Sequence, residues 1–395
     1  MVQDTLTFGP NYSTLDRSGT SSSPNNFLPS TTYQIPLDTT GMKIFVTSSG
    51  GGGGGGAQAI YDGIFVDKDK KAGGGGGSSG NVLTYTVGRY VPLLSWFNDI
   101  ITFNSVDVRA YHLESATIGA GGAGGSRAYA HAGVAESGGV AHASAGNGTS
   151  ATSTVLKLQY NSNNWVEFRA VGGTRGKGAT CHAELQSDYA NVGEGGSSNN
   201  IGYIRFAING NVHDVVILSP AAQGNNMILS IDGFELSSNA SSSHGSISFS
   251  SNKIRIDATA FDDDYLEISW NPAFQRGGSN GSGSTGGSGG NYFSARTGGR
   301  GGDGVNEDAG NGSRGTSDSY IEWSIYRNSM DCEIISAITN SGNNQYTVTI
   351  SHPKQPPKIR YNNYWYTIKN ATVWDGSNWK RIGGKEYTYD TGTFT

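Results

Sequence analysis

The sequence has few charged residues, few cysteines and little proline for its length of 395 residues. Asp, Glu, Lys and Arg together make up 15% of it, and the formal net charge is -5. This balance disfavours nucleic-acid binding, which needs a concentrated basic surface. With 10 prolines, the chain also lacks the proline-rich, unbroken Gly-X-Y period of collagen.

Signals for export and membrane insertion are also missing. Residues 1–4 contain no basic region leading into an apolar stretch, so no secretory signal is expected. The longest apolar stretch, residues 91–103, is interrupted by Asn98 and Asp99 and is too short to span a bilayer. We therefore expect a protein that is made in a cytoplasm and is not membrane-embedded.

Metal and redox motifs are not evident. The two cysteines, Cys181 and Cys332, form no CxxC motif, and the seven histidines are dispersed without HxH or HExxH spacing. This pattern disfavours a structural zinc site. It favours two buried free thiols, although a disulfide between them stays open. No cofactor is expected.

The pattern that is present is that of short β-strands. Helical periodicity is almost absent, and β-branched and aromatic residues alternate with polar ones between turns rich in Gly, Asn, Asp and Ser. Asn209-Gly210 is a hairpin-turn signal. Many short strands with few helices predict an all-β sandwich or barrel. The predicted strands are 43–47, 82–87, 106–111, 155–160, 203–208, 247–256, 265–270, 319–326 and 345–350.

Glycine, with 61 residues, is concentrated in tracts that separate these strands. Tracts at 50–56 and 73–77, a block at 119–148 and an excursion at 277–315 each lie between predicted strands. The plan is strand, glycine insertion, strand. Glycine also recurs at every third position, as in Gly298, Gly301 and Gly304, in Gly119, Gly122 and Gly125, and in Gly283, Gly286 and Gly289.

Such tracts are usually flexible linkers, but the three-residue repeat favours order. Ordering a residue costs about 1–2 kcal/mol of backbone entropy, so the backbone groups need hydrogen-bond partners. Polyproline-II helices have three residues per turn, and glycine lets such helices approach closely enough to pair. The tracts are therefore predicted to be ordered polyproline-II-like loops.

The order of strand and glycine tract resembles the glycine-rich domains of phage tail proteins. Residues 33–36 and 42–46 precede the poly-glycine run, as an edge strand precedes a glycine-rich insertion in that family. Related adhesins at tail-fibre tips pack polyglycine helices into a sandwich whose variable loops contact the host. The chain departs from those adhesins because long alternating segments, such as 201–261, separate its glycine blocks.

The C-terminal tail carries a second resemblance. Residues 372–380 place Trp374 and Trp379 around an Asp375-Gly376 turn, and this is similar to a small β-hairpin near the ends of many phage tail and fibre proteins. Residues 361–366 form a similar pattern around an Asn-Asn turn.

Together these features predict a jelly-roll-like β-sandwich with long glycine-rich insertions and a small C-terminal β-hairpin module. The predicted domains are an N-terminal extended arm at 1–40, a sandwich region at 41–330 with a possible split near 150–200, and a C-terminal β module at 331–395.

Enzymatic motifs are weak, and we do not expect an enzyme. Asp262, Asp263 and Asp264 with Glu267 could supply paired carboxylates for glycoside cleavage, but a solvated acidic turn is favoured. Residues 67–69 begin like a calcium loop but lack its later Gly and Glu, which favours a charged hairpin tip. The Gly-x-Gly-x-x-Gly matches lie inside the glycine blocks and precede no predicted helix.

Aromatic and basic residues within the glycine background are the predicted binding residues. A ring offers a flat face to a sugar, and arginine offers a fork for carboxylate or phosphate. Packing of these rings against a neighbouring loop or subunit is the alternative. The candidates are Arg127, Tyr129, His131, Tyr292, Phe293 and Arg296.

The resemblance implies a bacteriophage virion protein, most simply a tail-fibre or tail-tip adhesin. Its implied partners are other virion proteins and a host cell-surface polysaccharide or outer-membrane protein, with a homotrimer as the implied assembly. The alternatives are a non-adhesive virion component, such as a head fibre, capsid decoration or baseplate protein, and a polysaccharide-cleaving tailspike. A non-viral polyglycine ice-binding protein would leave the strands and tryptophan hairpins without a role.

Overall fold

The chain divides into two compact units, residues 4–325 and residues 1–3 with 326–395. The computed structural model describes residues 2–8, 25–27, 33–64, 66–133, 139–197, 200–218, 227–261, 263–270, 278–290, 298–304, 309–316 and 319–327, and short strands between 333 and 381.

The larger unit contains two large sheets, so the predicted all-β class is confirmed. The first sheet runs, in spatial order, through Val2–Phe8, Tyr320–Arg327, Thr39–Thr47, Val82–Gly88, Tyr265–Trp270, Lys253–Ala258, Gly245–Ser250 and Ala240–Ser242. The second runs through Asn25–Phe27, His112–Ile118, Thr154–Asn161, Asn164–Ala170, Asn200–Ile208, Asn211–Leu218, Ile228–Ile231 and Phe234–Leu236, with Tyr33–Gln34 also beside His112–Ile118.

A single hydrophobic core lies between these sheets. Alternate residues of the central strands point inward, as in Tyr265–Trp270, where Leu266, Ile268 and Trp270 are buried and their neighbours are not. Tyr85 and Phe168, from opposite sheets, meet in this core with ring centroids 5.2 Å apart. The two sheets are therefore the halves of a β-sandwich.

Several predicted strands differ in detail. Residues 247–256 are not one strand, because they span the hairpin of Gly245–Ser250 and Lys253–Ala258. Residues 106–111 include a 3-10 turn, Val108–Ala110, after the hairpin of Tyr90–Phe97 and Ile100–Asp107. The Asn209-Gly210 turn is confirmed, with positive φ angles of 52° and 83°.

The glycine tracts leave one end of the sandwich and form a bundle. Its ten described segments are A (50–56), B (73–78), C (119–126), D (145–152), E (171–179), F (193–196), G (278–281), H (286–290), I (298–304) and J (309–316). The numbering of their hydrogen-bonded partners shows that successive segments alternate in direction. The chain therefore passes up and down the bundle five times.

Segment A lies at the centre of six neighbours. Its seven backbone N–H groups donate in a strict three-residue rotation, with Gly50 and Gly53 reaching segment J, Gly51 reaching B and Gly52 reaching D. Its carbonyls accept in the same rotation from segments C, I and E, and the seventh, that of Gly56, accepts from Ala128, just beyond the end of segment C. This repeat is the one expected from three residues per turn, and it confirms that the tract is ordered.

Segment B is a second such centre. Its six N–H groups and six carbonyls bond to segments A, E, F, G, H and I at 2.8–3.0 Å. The outer eight segments also bond to one another, in the closed order C, D, E, F, G, H, I, J. The result is a hexagonal array of three layers: D, E and F; C, A, B and G; J, I and H.

This array requires glycine at its two centres. A Cβ added at any glycine from 51 to 56 would lie 1.9–2.3 Å from a carbonyl oxygen of a neighbouring segment, and the same holds at 73–77. No side chain fits at such distances. The unbroken poly-glycine runs are therefore a packing requirement, and six-fold pairing replaces the water that a free glycine chain would bind.

The outer segments follow a Gly-Gly-x pattern. In segment I, Gly298 and Gly301 face segment B while Gly299 and Gly302 face segment J, and the third position, as at Arg300, is exposed. The glycine triplets predicted in segments C and I are confirmed in this way. Gly283 is an exception to its predicted triplet, because it has φ 54° and lies in the turn between segments G and H.

The predicted strand–insertion–strand plan holds for three insertions whose flanking strands pair directly. Thr39–Thr47 pairs with Val82–Gly88, and His112–Ile118 pairs with Thr154–Asn161. The third, between Asn164–Ala170 and Asn200–Ile208, carries segments E and F and was not predicted from the sequence. The fourth leaves the first sheet at Tyr265–Trp270 and rejoins it at Tyr320–Arg327, with the strands Val82–Gly88 and Thr39–Thr47 between them.

The smaller unit contains short antiparallel pairs. The predicted tail hairpins are present, with Tyr361 opposite Tyr364 and Trp374 opposite Trp379. The strands of this unit are Glu333–Ile334, Thr339–Asn340, Tyr346–Thr347, Ile350–Ser351, Lys358–Tyr361, Tyr364–Thr367, Thr372–Trp374 and Trp379–Arg381.

Candidate functional site

The end of the bundle away from the sandwich carries two small sheets, which we call the cap. Every cap strand continues directly into or out of a glycine segment, as Ala57 follows Gly56 and Gly73 follows Ala72. The first cap sheet contains Ala128–Ala132, Ala57–Asp62 and Asp67–Ala72, and the second contains Ala141–Ser144, Thr180–Ala183 and Asp188–Asn191.

The facing sides of the two cap sheets form a separate core made largely of alanine. The strands inherit the close spacing of the glycine segments, so small side chains fit between them. Because side chains alternate between the two faces of a strand, the residues between these alanines point outward. The buried members are Ala57, Ala59, Tyr61, Ala72, Ala141, Ala143, Ala179, Cys181 and Ala183.

Ion pairs join the two cap sheets at their rim. Lys70 of the first sheet pairs with Asp188 of the second, and Lys68 Nζ lies 3.8 Å from the same carboxylate. The hydrogen bond from Lys70 lowers the pKa of Asp188. Lys68 Nζ also donates to the Leu185 carbonyl at 3.0 Å. Residues 67–69, predicted to be a charged hairpin tip, are instead the start of the strand Asp67–Ala72. Lys68 and Lys70 of this strand connect the two cap sheets.

Cys181 is buried in the alanine core as a free thiol, and its Sγ donates to the Ala57 carbonyl at 3.3 Å. Burial raises the pKa of Cys181 to about 11. The predicted free, buried state is confirmed for this residue, while Cys332 lies outside the described residues.

We expect the Cys181 thiol to resist alkylation in the folded protein. In a Cys332→Ser variant, iodoacetamide at pH 8 should react about a hundredfold more slowly than after denaturation, because the pKa lies two units higher and the thiolate is the nucleophile. The folded rate should keep rising with pH towards 11, whereas the denatured rate levels off near 9. A folded rate that levels off near pH 9 would contradict burial of the thiol.

Three of the six predicted binding residues lie in or beside the cap. Tyr129 and His131 project from the outer face of the first sheet, where they are exposed. His131 Nε2 lies 2.7 Å from Asp62 Oδ2. Arg127 is exposed just below them, and its N–H donates to Asn311 Oδ1 at 2.9 Å. These three therefore follow one edge of the cap.

The other three predicted binding residues, Tyr292, Phe293 and Arg296, lie outside the described residues. The glycines that flank them, Gly290 and Gly298, are bonded to each other at the sandwich end of the bundle. These two flanking glycines are therefore at the end of the bundle opposite Tyr129.

The outer face of the second cap sheet presents residues that were not predicted. His142, His182 and Tyr189 are directly opposite one another on its three strands. The His182 and Tyr189 rings are stacked, with centroids 5.1 Å apart, and the His142 and His182 rings are 6.0 Å apart. The histidines that looked dispersed in the sequence are thus brought together by strand register.

Large apolar side chains are exposed on the cap loops. Ile64 is 74% exposed and Val66 is 46% exposed in the loop of the first sheet, and Leu185 is 57% exposed in the loop of the second. Val140 and Val192 are also exposed at strand ends in the cap. Soluble domains rarely group exposed apolar residues unless the surface has a partner.

Among the described residues of the acidic cluster, Asp264 and Glu267 point to opposite faces of the strand. Asp264 is buried and accepts a hydrogen bond from Ser105 Oγ, and burial raises its pKa. Glu267 is three residues after Asp264, so its side chain points to the opposite face of the extended strand. There, Lys253 Nζ donates to it at 2.9 Å. Asp262 lies outside the described residues.

Neither a metal cluster nor a spanning helix is found in the part of the chain that the structure describes. No three His, Cys, Asp or Glu side chains there are placed to hold a metal ion. No helix there has the length and apolarity to cross a membrane. The sequence matches no protein-family model and no curated protein.

Proposed function

We propose that the chain is a structural virion protein of a bacteriophage, a tail-fibre or tail-tip protein that binds a host cell-surface receptor through its cap. The observation that carries this proposal is the placement of exposed apolar side chains on the cap loops, and of exposed aromatic and basic side chains on the outer faces of the cap sheets, at the end of the bundle away from the sandwich. The resemblance of the strand and glycine pattern to phage tail proteins supplies the biological setting.

The bundle suits this role because it holds the cap loops in place before a ligand arrives. Both central segments have all their backbone groups bonded, and the cap has its own core and rim ion pairs. A preorganised loop loses little entropy on binding. The Gly-Gly-x pattern of the outer segments also lets the exposed third residue vary without disturbing the central segments A and B.

The proposed partners are a host cell-surface polysaccharide or outer-membrane protein at the cap, and other virion proteins elsewhere. Oligomerisation, as a trimer in the manner of tail fibres, would present several caps together. Many copies on one particle would then convert weak single contacts into firm attachment, because later contacts form at high effective concentration.

The proposal predicts that two cap-loop substitutions weaken attachment. Fluorescently labelled protein should stain at least one strain in a panel of bacteria, and the Ile64→Ser, Leu185→Ser double variant should stain it about tenfold less, as expected when exposed anchors are removed. Flow cytometry measures the staining. Leu37→Ser is a matched control, because Leu37 is 75% exposed and lies on the sandwich rather than the cap.

Equal losses in the double variant and in Leu37→Ser would contradict a receptor site in the cap. If the wild-type protein stains no strain but binds tightly to virus particles that lack it, the chain is a non-adhesive virion component. Halo formation on a bacterial lawn that is lost in Asp263→Asn would instead identify a tailspike.

A further inference from the structure

The outer face of the second cap sheet has the composition of a saccharide site. Its first row is His142, His182 and Tyr189, and its second row is Ser144, Thr180 and Asn191. Side chains of one row point the same way on strands about 4.8 Å apart, and the two rows are about 7 Å apart. The face is therefore flat, with aromatic rings beside hydroxyl and amide groups.

Tyr189 is placed to stack on a ring. It lies on an edge strand of the cap sheet, is 42% exposed, and contacts His182 on one side of its phenol ring. The exposure of this side chain leaves surface that a ligand can cover. An amphipathic ring of this kind offers an apolar surface to the C–H groups of a pyranose.

Hydrogen-bonding groups surround this ring. Glu184 lies on the same outer face, with its Oε2 3.5 Å from His182 Nε2, and Ser187 Oγ donates to its other oxygen. Both the carboxylate and the imidazoles can bond to sugar hydroxyls. Polar groups that are held in place by one another fix the orientation of a ligand, and the stacked ring supplies contact area.

The charge of the face selects a neutral ligand. The hydrogen bond from Ser187 lowers the pKa of Glu184, so its carboxylate is charged at neutral pH. The nearby lysines, Lys68 and Lys70, are on the inner side of the cap, where they engage Asp188. Lys68 also lowers the pKa of Glu184, but its ammonium is engaged by the Leu185 carbonyl and lies close to Asp188, so an anionic sugar on the outer face would meet the Glu184 carboxylate first.

We propose that this face binds a neutral saccharide, with a pyranose ring stacked on Tyr189 and its hydroxyls bonded to Glu184, His182 and Asn191. The inference deepens the proposed function, on which it rests for its biological setting, by naming a neutral surface glycan as the receptor class. The single site is weak, and attachment gains strength from repeated sites on one particle.

Saturation-transfer NMR on the purified full-length protein tests this directly. The probes are methyl β-galactoside, methyl α-glucoside and N-acetylglucosamine, with galacturonate as the charged counterpart of galactose. We expect saturation of the ring protons of at least one neutral probe and a weaker effect on galacturonate. Tyr189→Ala should reduce the signal about fivefold, as expected for loss of one stacking contact, while Tyr189→Phe keeps most of it.

Tyr160→Ala is the matched control, because Tyr160 is 58% exposed on the sandwich strand Thr154–Asn161, outside the cap. The inference is overturned if no neutral probe is saturated, or if Tyr189→Ala retains the signal or Tyr160→Ala loses it equally. Its failure is distinct from that of the proposed function. Cell staining without saccharide binding contradicts this inference alone, and saccharide binding without cell staining contradicts receptor attachment alone.

Discussion

Gly54→Ala is expected to destabilise the glycine bundle more than any conservative surface change in the chain. The added Cβ would lie 2.0 Å from the Lys177 carbonyl oxygen of segment E and 2.2 Å from its carbon. Neither atom can rotate away, because both belong to a backbone bonded on several sides. Relief requires segments A and E to separate, which weakens the bonds of Gly54 to Gly75 and Gly302. We expect a loss of roughly 3 kcal/mol or more.

Gly133→Ala is the control for this prediction. A Cβ at Gly133 has no heavy atom within 4 Å, so its free energy of unfolding should change by less than about 0.5 kcal/mol. Urea unfolding gives the two free energies, and hydrogen exchange locates the effect. The amides of 50–56 should lose protection in Gly54→Ala and keep it in Gly133→Ala. Equal protection in both variants would contradict the six-fold packing of segment A.

The hexagonal array explains why part of the fold was predictable from the sequence. Seven consecutive glycines cannot be explained by turns, and a three-residue repeat points to helices with three residues per turn. Segments E and F were missed because their glycines, such as Gly173 and Gly176, are interspersed with Thr, Arg and Lys. The eight outer segments need glycine only where they face a neighbouring segment. Their glycine content is therefore lower than that of the central segments A and B.

Which segments are neighbours could not be predicted, because it depends on long-range register. Gly51 is bonded to Ser78 and Gly299, and nothing local in the sequence links these positions. The candidate site has the same character. Tyr129 stood out against a glycine background, whereas His142 and His182 are 40 positions apart and meet only through strand pairing.

The second large effect is expected in the sandwich, at Trp323. This side chain is fully buried, its indole Nε1 donates to Met42 Sδ at 3.2 Å, and its ring meets Tyr33 edge to face at 5.7 Å. Trp323→Ala leaves a large cavity in a core where both sheets meet. We expect a loss of about 3–5 kcal/mol in the free energy of unfolding, since the surrounding strands cannot close the space.

Hydrogen exchange should separate this effect from that of Gly54→Ala. The sheet strands anchor the lower ends of the glycine segments, as Thr47 leads into Ser48 and Ser319 leads into Tyr320, and Ser49 Oγ and Ser319 Oγ share a hydrogen bond at this junction. Loss of the sandwich core should therefore lower amide protection in both the sheets and the bundle. Gly54→Ala should lower it in the bundle first, because the sheets keep their own core.

Phe97→Ala, at a residue 69% exposed, is the control and should change amide protection in neither the sheets nor the bundle. If Trp323→Ala leaves the protection of 50–56 intact, the bundle is stable without the sandwich, and the anchoring role of the sheets is wrong.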